Sequence, residues 1–192
     1  YRKGSHNSDT EIELMEMRAN ALPIHEDYGV DLVMTGHSHS YERSFLLDGH
    51  YGLSGTLTGA MILDGGSGSA GSGGYQKTTL GMGPHEGAVY VVAGSSGQTS
   101  GGTLNHPAQY ESLNTLGSFT VDIDPNVLDA RFLSASGGTP DSFRLVKGGP
   151  SQEALDLCPA TPRTTCRTAE RTRLVLAQGS TDDKDRVVFK WV

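Results

Sequence analysis

Long apolar runs, clusters of basic residues and cysteine are all scarce in this sequence of 192 residues. No stretch approaches the roughly eighteen continuous apolar residues of a membrane-spanning helix, and the first residues lack a signal-peptide pattern. Lys and Arg number 15 against 22 Asp and Glu, which gives a formal net charge of −7. Because proteins usually meet nucleic-acid phosphates with clustered Lys and Arg, this balance argues against a nucleic-acid-binding surface. A small anionic substrate stays compatible with it, since metal ions can supply positive charge locally.

Cys158 and Cys166 are the two cysteines, and they lie close together in a segment rich in Pro and Thr. A local disulfide in an exported protein is the preferred interpretation, with two free thiols as the alternative. The sequence opens on YRKGSHNSD without an initiator Met, and it ends in VVFKWV, which has the pattern of a strand. We therefore expect a fragment of a longer protein that is secreted to the periplasm or the extracellular space. Nothing in the pattern points to a particular oligomeric state.

Glycine is the residue in excess, with 26 copies, many of them in the tract DGGSGSAGSGG at 64–74. This tract lacks both the Lys-Ser/Thr ending of a phosphate-binding P-loop and the GxGxxG spacing between a strand and a helix. A flexible surface loop is therefore favoured over a phosphate cradle. The apolar fraction of 35% and the mean hydropathy of −0.35 suit a globular protein with much loop. The length fits one domain, or one domain and part of another.

The first part of the chain has the pattern of an α/β unit. Ser8 or Asp9 opens a predicted helix over TEIELMEMRANAL, and Pro23 opens a second short helical turn that Gly29 ends. The apolar run VDLVMTG between two glycines predicts a buried strand. In α/β sheets the chemistry lies at the carboxyl ends of strands, and the sequence GHSH occupies that position.

The rest of the chain is predicted to be rich in strands. YERSFLLDGHYG and GAVYVVAGSSG each predict a strand, and LGSFTVDID, NVLDARFLSA and DSFRLVKG predict an antiparallel meander with one buried face. A linker at 149–170 then carries both cysteines, and TRLVLAQ and DRVVFKWV predict a hairpin. We expect one domain over 1–148 and the beginning of a truncated β-rich accessory module over 171–192.

His37 and His39 have the clearest chemical potential. Imidazole is a common ligand for Zn, Fe and Mn ions, and alternate residues of an extended segment project to the same side. Gly36 is expected to let the backbone turn at the strand end, which puts the pair at the rim of the sheet. A His-x-His pair alone is a weak signal, and two histidines that merely form hydrogen bonds in a loop are the alternative.

The surrounding segments strengthen the metal interpretation. GHSHSYER follows an apolar strand, YRKGSHNSD and a helix precede it, and GAVYVVAGSSGQ and HPAQYESLNTLGSFTVDID come later. In this order the segments resemble the calcineurin-like metallophosphoesterases, most closely the purple acid phosphatase branch, over residues 1–148. The resemblance implies an α/β fold, a four-layer sandwich of two mixed sheets flanked by helices, of which this chain supplies the C-terminal half.

The same resemblance implies a hydrolase with a binuclear metal centre. His37 would bind one metal and His39 the other, the pair being Fe with Zn, Mn or Fe. Two ions about 3.5 to 4 Å apart can hold a phosphoryl oxygen, lower the pKa of a bound water and stabilise transition-state charge. His6 aligns less securely with histidines that contact substrate phosphate or protonate the leaving group, and an ordinary loop histidine is its alternative.

Residues beside the histidine pair are expected to support it. Tyr41, Glu42 and Arg43 would orient the imidazoles through hydrogen bonds, without being ligands themselves. The chain also departs from the family, because the first three ligand blocks and the fourth-block histidine are absent. Two ligands cannot satisfy two ions, so the chain by itself is expected to bind the metals poorly and to be inactive.

The other titratable residues receive plainer interpretations. Asp9, Asp31 and Asp64 do not occupy motif positions, so they are not predicted to be metal ligands. His25 and His50 are expected to be structural or exposed, whereas His85 and His106 flank glycine-rich loops and are either structural or in contact with substrate. The acidic turn at 182–185 lacks EF-hand spacing, so a solvated turn is favoured over a calcium site.

Three functions are compatible with these patterns. The first is acid phosphatase-like hydrolysis of small phosphomonoesters by metal-bound hydroxide in the full-length parent. The second is a phosphodiesterase or nucleotidase of the same superfamily, because the loops that decide the substrate lie mostly outside this chain. The third is a non-catalytic extracellular β-rich binding module in which the His-x-His sequence is incidental. The order of the segments argues against the third, and the terminal hairpin argues weakly for an attached module.

Overall fold

Two larger β-sheets, one two-stranded ribbon and one α-helix are the regular elements of the computed structural model, which describes residues 1–148, 172–177 and 186–191. The helix is α1 (Ile12–Asp27). In chain order the strands are β1 (Leu32–Thr35), β2 (Tyr41–Ser44), β3 (Leu46–Leu47), β4 (Ile62–Asp64), β5 (Tyr75–Lys77), β6 (Val89–Ala93), β7 (Gln109–Leu113), β8 (Gly117–Asp124), β9 (Val127–Ser134), β10 (Asp141–Lys147), β11 (Thr172–Ala177) and β12 (Arg186–Trp191). Short 3-10 turns cover Ser54–Thr56, Gly59–Met61 and Ala70–Ser72, and β3 and β4 pair as a separate ribbon.

The first sheet has four strands in the order β1-β6-β2-β7. β1 runs parallel to β6, with Leu32 opposite Val89 and Thr35 opposite Val92. β2 runs antiparallel to both β6 and β7. Because β1 and β6 are parallel, their carboxyl ends meet at one edge of the sheet, and the loops that follow both strands begin there.

The second sheet has six strands in the order β12-β11-β8-β9-β10-β5. β8, β9 and β10 form the antiparallel meander that the alternating pattern predicts, with Phe119 opposite Phe132. β5 adds to β10 in parallel. The two predicted strands near the end of the chain are confirmed as the antiparallel pair β11 and β12, and β11 also pairs with β8. These strands therefore extend the second sheet, whereas the expected domain boundaries stay a prediction.

The larger apolar core lies between the two sheets. Val89 and Val91 of β6 pack in it with aromatic residues of β8, β9 and β10. Tyr90, between them in sequence, packs in a second cluster with Leu22 of α1. Successive side chains of a strand point to opposite faces, so β6 has apolar neighbours on both sides. This explains why the run VYVV is continuous rather than alternating.

The start of α1 differs from the sequence prediction. The helix begins at Ile12, and neither Ser8 nor Asp9 caps it. The Asp9 carboxylate instead accepts hydrogen bonds from the backbone nitrogen and the hydroxyl of Ser54. The local pattern predicts Asp9 as a cap of the helix, but its side chain forms a long-range contact with Ser54 instead.

The end of α1 differs as well, because the helix continues through Pro23 as one element of 16 residues. The proline predicts two pieces, since it cannot donate a backbone hydrogen bond. Arg18, Leu22 and Glu26 are spaced by four residues and form the buried face of the helix. Because buried residues lie on the same face before and after Pro23, the two predicted pieces form one continuous helix.

The described residues form three layers, which are α1, the first sheet and the second sheet. The mixed α/β class is confirmed, and the four-layer sandwich stays a prediction because this part of the chain contains one α-helix. No helix among the described residues combines the length and the apolar character that crossing a membrane requires. Cys158, Cys166 and the acidic turn at 182–185 lie outside the described residues.

Candidate functional site

The segment after β1 folds into two consecutive three-residue turns. The backbone nitrogen of Ser38 donates to the Gly36 carbonyl at 2.9 Å, and that of Ser40 donates to the Ser38 carbonyl at 2.8 Å. His37 and His39 are the central residues of these turns, so the segment is not the extended one that the sequence predicts. His37 has φ +70°, a conformation that L-residues adopt rarely.

The histidine, and not the glycine before it, carries the unusual backbone. A Cβ added to Gly36 would meet no atom within 4 Å, and the φ of this glycine is not in the left-handed region. The backbone does turn at Gly36 as expected, but this position does not use the conformational freedom of glycine. The turn does place both histidines at the carboxyl edge of the first sheet, with His37 exposed and His39 half-buried. Their roles as metal ligands stay a prediction.

His6 meets His37 at this edge. The two imidazole rings stack with centroids 4.3 Å apart and planes 27° apart. Arg2 fastens the segment of His6 to the end of β1, because its guanidinium donates to the Gly36 carbonyl at 2.8 Å and to Thr35 Oγ1 at 3.2 Å. The fold thus brings together two of the three histidines that the sequence singles out, although 30 residues separate them in the chain.

Glu11 fixes the ring of His6. One carboxylate oxygen lies 2.7 Å from His6 Nδ1, and the other accepts the backbone N–H of Asn7 at 2.6 Å. The bond from Asn7, followed by the one from His6, lowers the pKa of Glu11 below its usual value. An ionised carboxylate can only accept, so Nδ1 is the donor and Nε2 is the ring position left for other partners. The sequence analysis missed Glu11, which is five residues from His6 at the edge of a predicted helix.

Glu42 joins the two segments that carry the histidines. Its buried carboxylate accepts the backbone N–H of Lys3 and the hydroxyl of Ser40, both at 2.8 Å. A Cβ added to Gly4 would lie 2.4 Å from the hydroxyls of Ser38 and Ser40, so these side chains pack directly against the backbone of the His6 segment. Glu42 therefore acts on the backbone around the histidines, and the expected hydrogen bonds to their rings stay a prediction.

Tyr41 and Arg43 form hydrogen bonds with the second sheet, whereas Glu42 contacts the histidine segments. Arg43 donates from Nε and Nη2 to the two oxygens of Asp141, at 2.6 and 2.8 Å, and Tyr41 donates to Asp141 at 2.6 Å. Burial and the charge of Asp141 raise the pKa of Tyr41 well above 10. Burial alone would lower the pKa of Arg43, but the bonds and charge of Asp141 raise it. These contacts join β2 to β10 and thereby the first sheet to the second.

A glycine- and serine-rich loop after β6 packs against both histidine segments. Ser100 donates its backbone N–H to the His39 carbonyl at 3.1 Å, and Leu104 donates to the Lys3 carbonyl at 2.8 Å. A Cβ on Gly94 would lie 1.9 Å from the Ser38 carbonyl oxygen, and one on Gly102, which has φ +118°, would lie 2.0 Å from the Gly4 carbonyl oxygen. These close approaches require glycine, and no local pattern reveals them.

The described residues do not complete a metal centre at this edge. Among them, the one group of three His, Cys, Asp or Glu side chains whose ligand atoms all lie within 4.8 Å of one another is Glu26, Asp48 and His85. His37 and His39 therefore have no third partner of this kind in the described part of the chain. Two imidazoles are too few for a binuclear centre.

The other histidines lie apart from the His37 edge. His50 and His106 are buried, their rings lie 6.3 Å apart, and both contact the ring of Tyr1. Burial lowers the pKa of His50 to about 4 and that of His106 to about 3. His85 is half exposed and lies between Asp27 and Asp48, and its bond to Asp48 raises its pKa.

Comparisons with known proteins include a likeness to a solved structure. No protein-family model matches the chain, and a search of curated proteins finds no match. A purple acid phosphatase isolated from yellow lupin (Lupinus luteus) seeds has a similar structure, with 19% sequence identity and a TM-score of 0.49. The likeness covers 67% of this chain and 19% of that protein. At these values it establishes neither a family nor an activity for this chain.

Proposed function

We propose that this chain is part of a metal-dependent phosphoesterase that hydrolyses small phosphomonoesters. The observation that carries the proposal is the stacking of His6 on His37 at the carboxyl end of β1, with His39 two residues away. Imidazoles gathered at this edge of a parallel strand pair suit metal binding and proton transfer. The ordered segments that resemble the purple acid phosphatase branch support the same function.

His37 and His39 are proposed as metal ligands, one for each ion of a pair made of Fe with Zn, Mn or Fe. The described residues bring no third ligand to them. Following the resemblance, in which the other ligands belong to sequence blocks that this chain lacks, we propose that the full-length parent supplies the remaining ligands. When bound, the ions would supply the positive charge and the activated water that phosphoester hydrolysis uses. The 192-residue chain alone is therefore expected to be inactive toward p-nitrophenyl phosphate.

His6 is proposed to contact the substrate phosphate or to protonate the leaving group. Glu11 holds Nδ1 at 2.7 Å, which leaves Nε2 as the atom that exchanges a proton. The stacked ring of His37 on one side and Glu11 on the other restrict the motion of the imidazole. A fixed ring position favours proton transfer, because the donor atom must lie within hydrogen-bond reach of the leaving oxygen.

The four-layer sandwich and secretion belong to the same proposal. In that arrangement the parent protein would add a helical layer on the outer face of the second sheet. The acidic net charge of −7 is compatible with a small phosphorylated substrate, provided that metal ions supply the local positive charge.

The test uses the full-length parent protein and its variants. We expect His37→Ala and His39→Ala each to lower kcat/KM for p-nitrophenyl phosphate by at least about a hundredfold and to reduce bound metal. His6→Ala should lower kcat by about 10² to 10⁴-fold with metal content unchanged. His25→Gln is the control and should leave activity and bound metal unchanged, because His25 lies near the end of α1, which leads into the amino end of β1, and belongs to neither histidine pair nor metal-binding cluster.

Three results would count against the proposal. Unchanged activity in both His37→Ala and His39→Ala would show that the ligand assignment is wrong. A parent protein that holds less than one Fe, Zn or Mn per chain and hydrolyses no phosphate ester would exclude the enzyme and favour the binding module. Faster hydrolysis of bis(p-nitrophenyl) phosphate than of p-nitrophenyl phosphate would favour the phosphodiesterase.

A further inference from the structure

A second cluster of metal-binding side chains lies at the opposite edge of the first sheet. Glu26 lies near the end of α1, Asp48 follows β3, and His85 precedes β6. One ligand atom from each of these side chains lies within 4.8 Å of the others. His85 is anchored there, because its backbone N–H donates to the Glu26 carbonyl at 3.1 Å. Three separate segments thus converge on one point.

Glu26 is a buried carboxylate that forms no ion pair within 4.0 Å among the described residues. Its side chain accepts three hydrogen bonds from neutral donors, the backbone N–H of Gly49 at 2.8 Å, Tyr51 OH at 2.5 Å and Tyr90 OH at 2.6 Å. Two of them fall on Oε2 and one on Oε1, so one lone pair of Oε1 stays available. Buried charges in proteins are usually paired or coordinate metal ions, and three neutral donors do not cancel the charge.

The ring of His85 is oriented as metal-binding imidazoles are. Nδ1 lies 3.0 Å from an oxygen of Asp48, and Nε2 lies 3.0 Å from an oxygen of Asp27. A histidine that binds a metal through one nitrogen characteristically donates its other N–H to a carboxylate, which fixes the tautomer. Asp27 is placed for that second role, and Nδ1 becomes available to an ion once the proton that it shares with Asp48 has left.

The spacing of the His85 and Asp48 ligand atoms is close to that around a small tetrahedral ion. With bonds of about 2.0 Å, neighbouring ligand atoms of a tetrahedral zinc site lie about 3.3 Å apart. His85 Nδ1 and its Asp48 oxygen are 3.0 Å apart, which is close to this spacing, and the ligand atom of Glu26 lies within 4.8 Å of both. An imidazole with two carboxylates suits Zn²⁺ better than Ca²⁺, which prefers ligand sets made only of oxygen.

We propose that Glu26, Asp48 and His85 form a Zn²⁺ site, with Asp27 as the hydrogen-bond partner of the imidazole, separate from the site at His37. The ion takes three protein ligands and one water, and it replaces the proton shared by His85 and Asp48, which leaves to solvent. It joins the end of α1, the turn after β3 and the loop before β6. This site does not depend on the proposed phosphoesterase activity.

The experiment measures Zn²⁺ binding to the full 192-residue chain by isothermal titration calorimetry. The chain carries His37→Ala and His39→Ala, so that the other histidine pair does not contribute. We expect one Zn²⁺ per chain, with His85→Gln weakening binding by at least about a hundredfold and Asp27→Ala by about ten- to a hundredfold. Asp124→Asn, an exposed acidic residue on the other sheet, is the matched control and should leave binding unchanged.

A second measurement identifies the ligands. Co²⁺ in place of Zn²⁺ should give the visible absorption of a tetrahedral site, and Asp48→Asn should remove it while the far-UV circular dichroism stays unchanged. Equal Zn²⁺ affinity in the His85→Gln and Asp124→Asn chains would overturn the proposal. Binding of Ca²⁺ in preference to Zn²⁺ would overturn it as well. So would the absence of Zn²⁺ binding to the chain that carries only His37→Ala and His39→Ala.

Discussion

The buried ion pair between Arg43 and Asp141 gives the sharpest test of how the two sheets are held together. Arg43 is 0% exposed and Asp141 5% exposed. The pair is bidentate, and the third guanidinium nitrogen donates to Tyr75 OH at 3.0 Å. The guanidinium also lies 4.5 Å from the centroid of the Tyr110 ring. Every nitrogen of the cation thus has a partner inside the protein.

Asp141→Asn removes the negative charge and leaves the cation buried. Breaking a buried pair from one side costs about 3–5 kcal/mol, because the remaining charge keeps its desolvation penalty without compensation. The matched control is Asp129→Asn, since Asp129 receives the same bidentate pair from Arg144, at 2.8 and 2.7 Å. The side chains of that pair are 37% and 25% exposed, so solvent screens it and the expected cost is about 1 kcal/mol or less.

The assay is urea unfolding at pH 7, monitored by far-UV circular dichroism, for the unsubstituted 192-residue chain and both variants. The double variant Arg43→Met/Asp141→Leu removes both charges and should cost less than Asp141→Asn alone, because apolar groups of similar volume carry no desolvation penalty. The reasoning is refuted if Asp141→Asn and Asp129→Asn lower the free energy of unfolding equally. A double variant that is less stable than Asp141→Asn would refute it too.

Two further outcomes depend on buried groups. His50 and His106 are neutral in the fold, with pKa values of about 4 and about 3 against 6.5 when unfolded, so stability is full above pH 6.5 and falls as the pH drops toward 4. The free energy of unfolding should fall by about 2–3 kcal/mol for each histidine between pH 7 and pH 4. The urea midpoint of the double variant His50→Gln/His106→Gln should therefore depend less on pH than that of the unsubstituted 192-residue chain. Gly94→Ala places a Cβ 1.9 Å from the Ser38 carbonyl oxygen and should cost about 2 kcal/mol or more, whereas Gly36→Ala meets no atom and should cost little. Equal melting temperatures for these two glycine variants would contradict the close approach of the loop after β6.

Local pattern alone located most of the regular elements. β1, β6 and the meander β8 to β10 lie where apolar runs or alternating residues predict them. A strand buried on both faces has a continuous apolar run, and a strand buried on one face has alternating apolar residues, so burial can be inferred from such patterns. β4, β5 and β7 were not predicted from the sequence. β5 has three residues, and its partner β10 follows more than sixty residues later, so its pairing has no local signal.

The candidate site divides in the same way. The sequence placed His37 and His39 at the end of a strand, since a short apolar run before GHSH is a local feature. Tertiary contacts decided the rest: the stack of His6 on His37, the strained backbone of His37, and the use of Arg43 between the sheets instead of beside the histidines. Each of these depends on which distant segment fills the neighbouring space. The composition of a segment does not specify that neighbour, because packing energy arises only when both partners are in place.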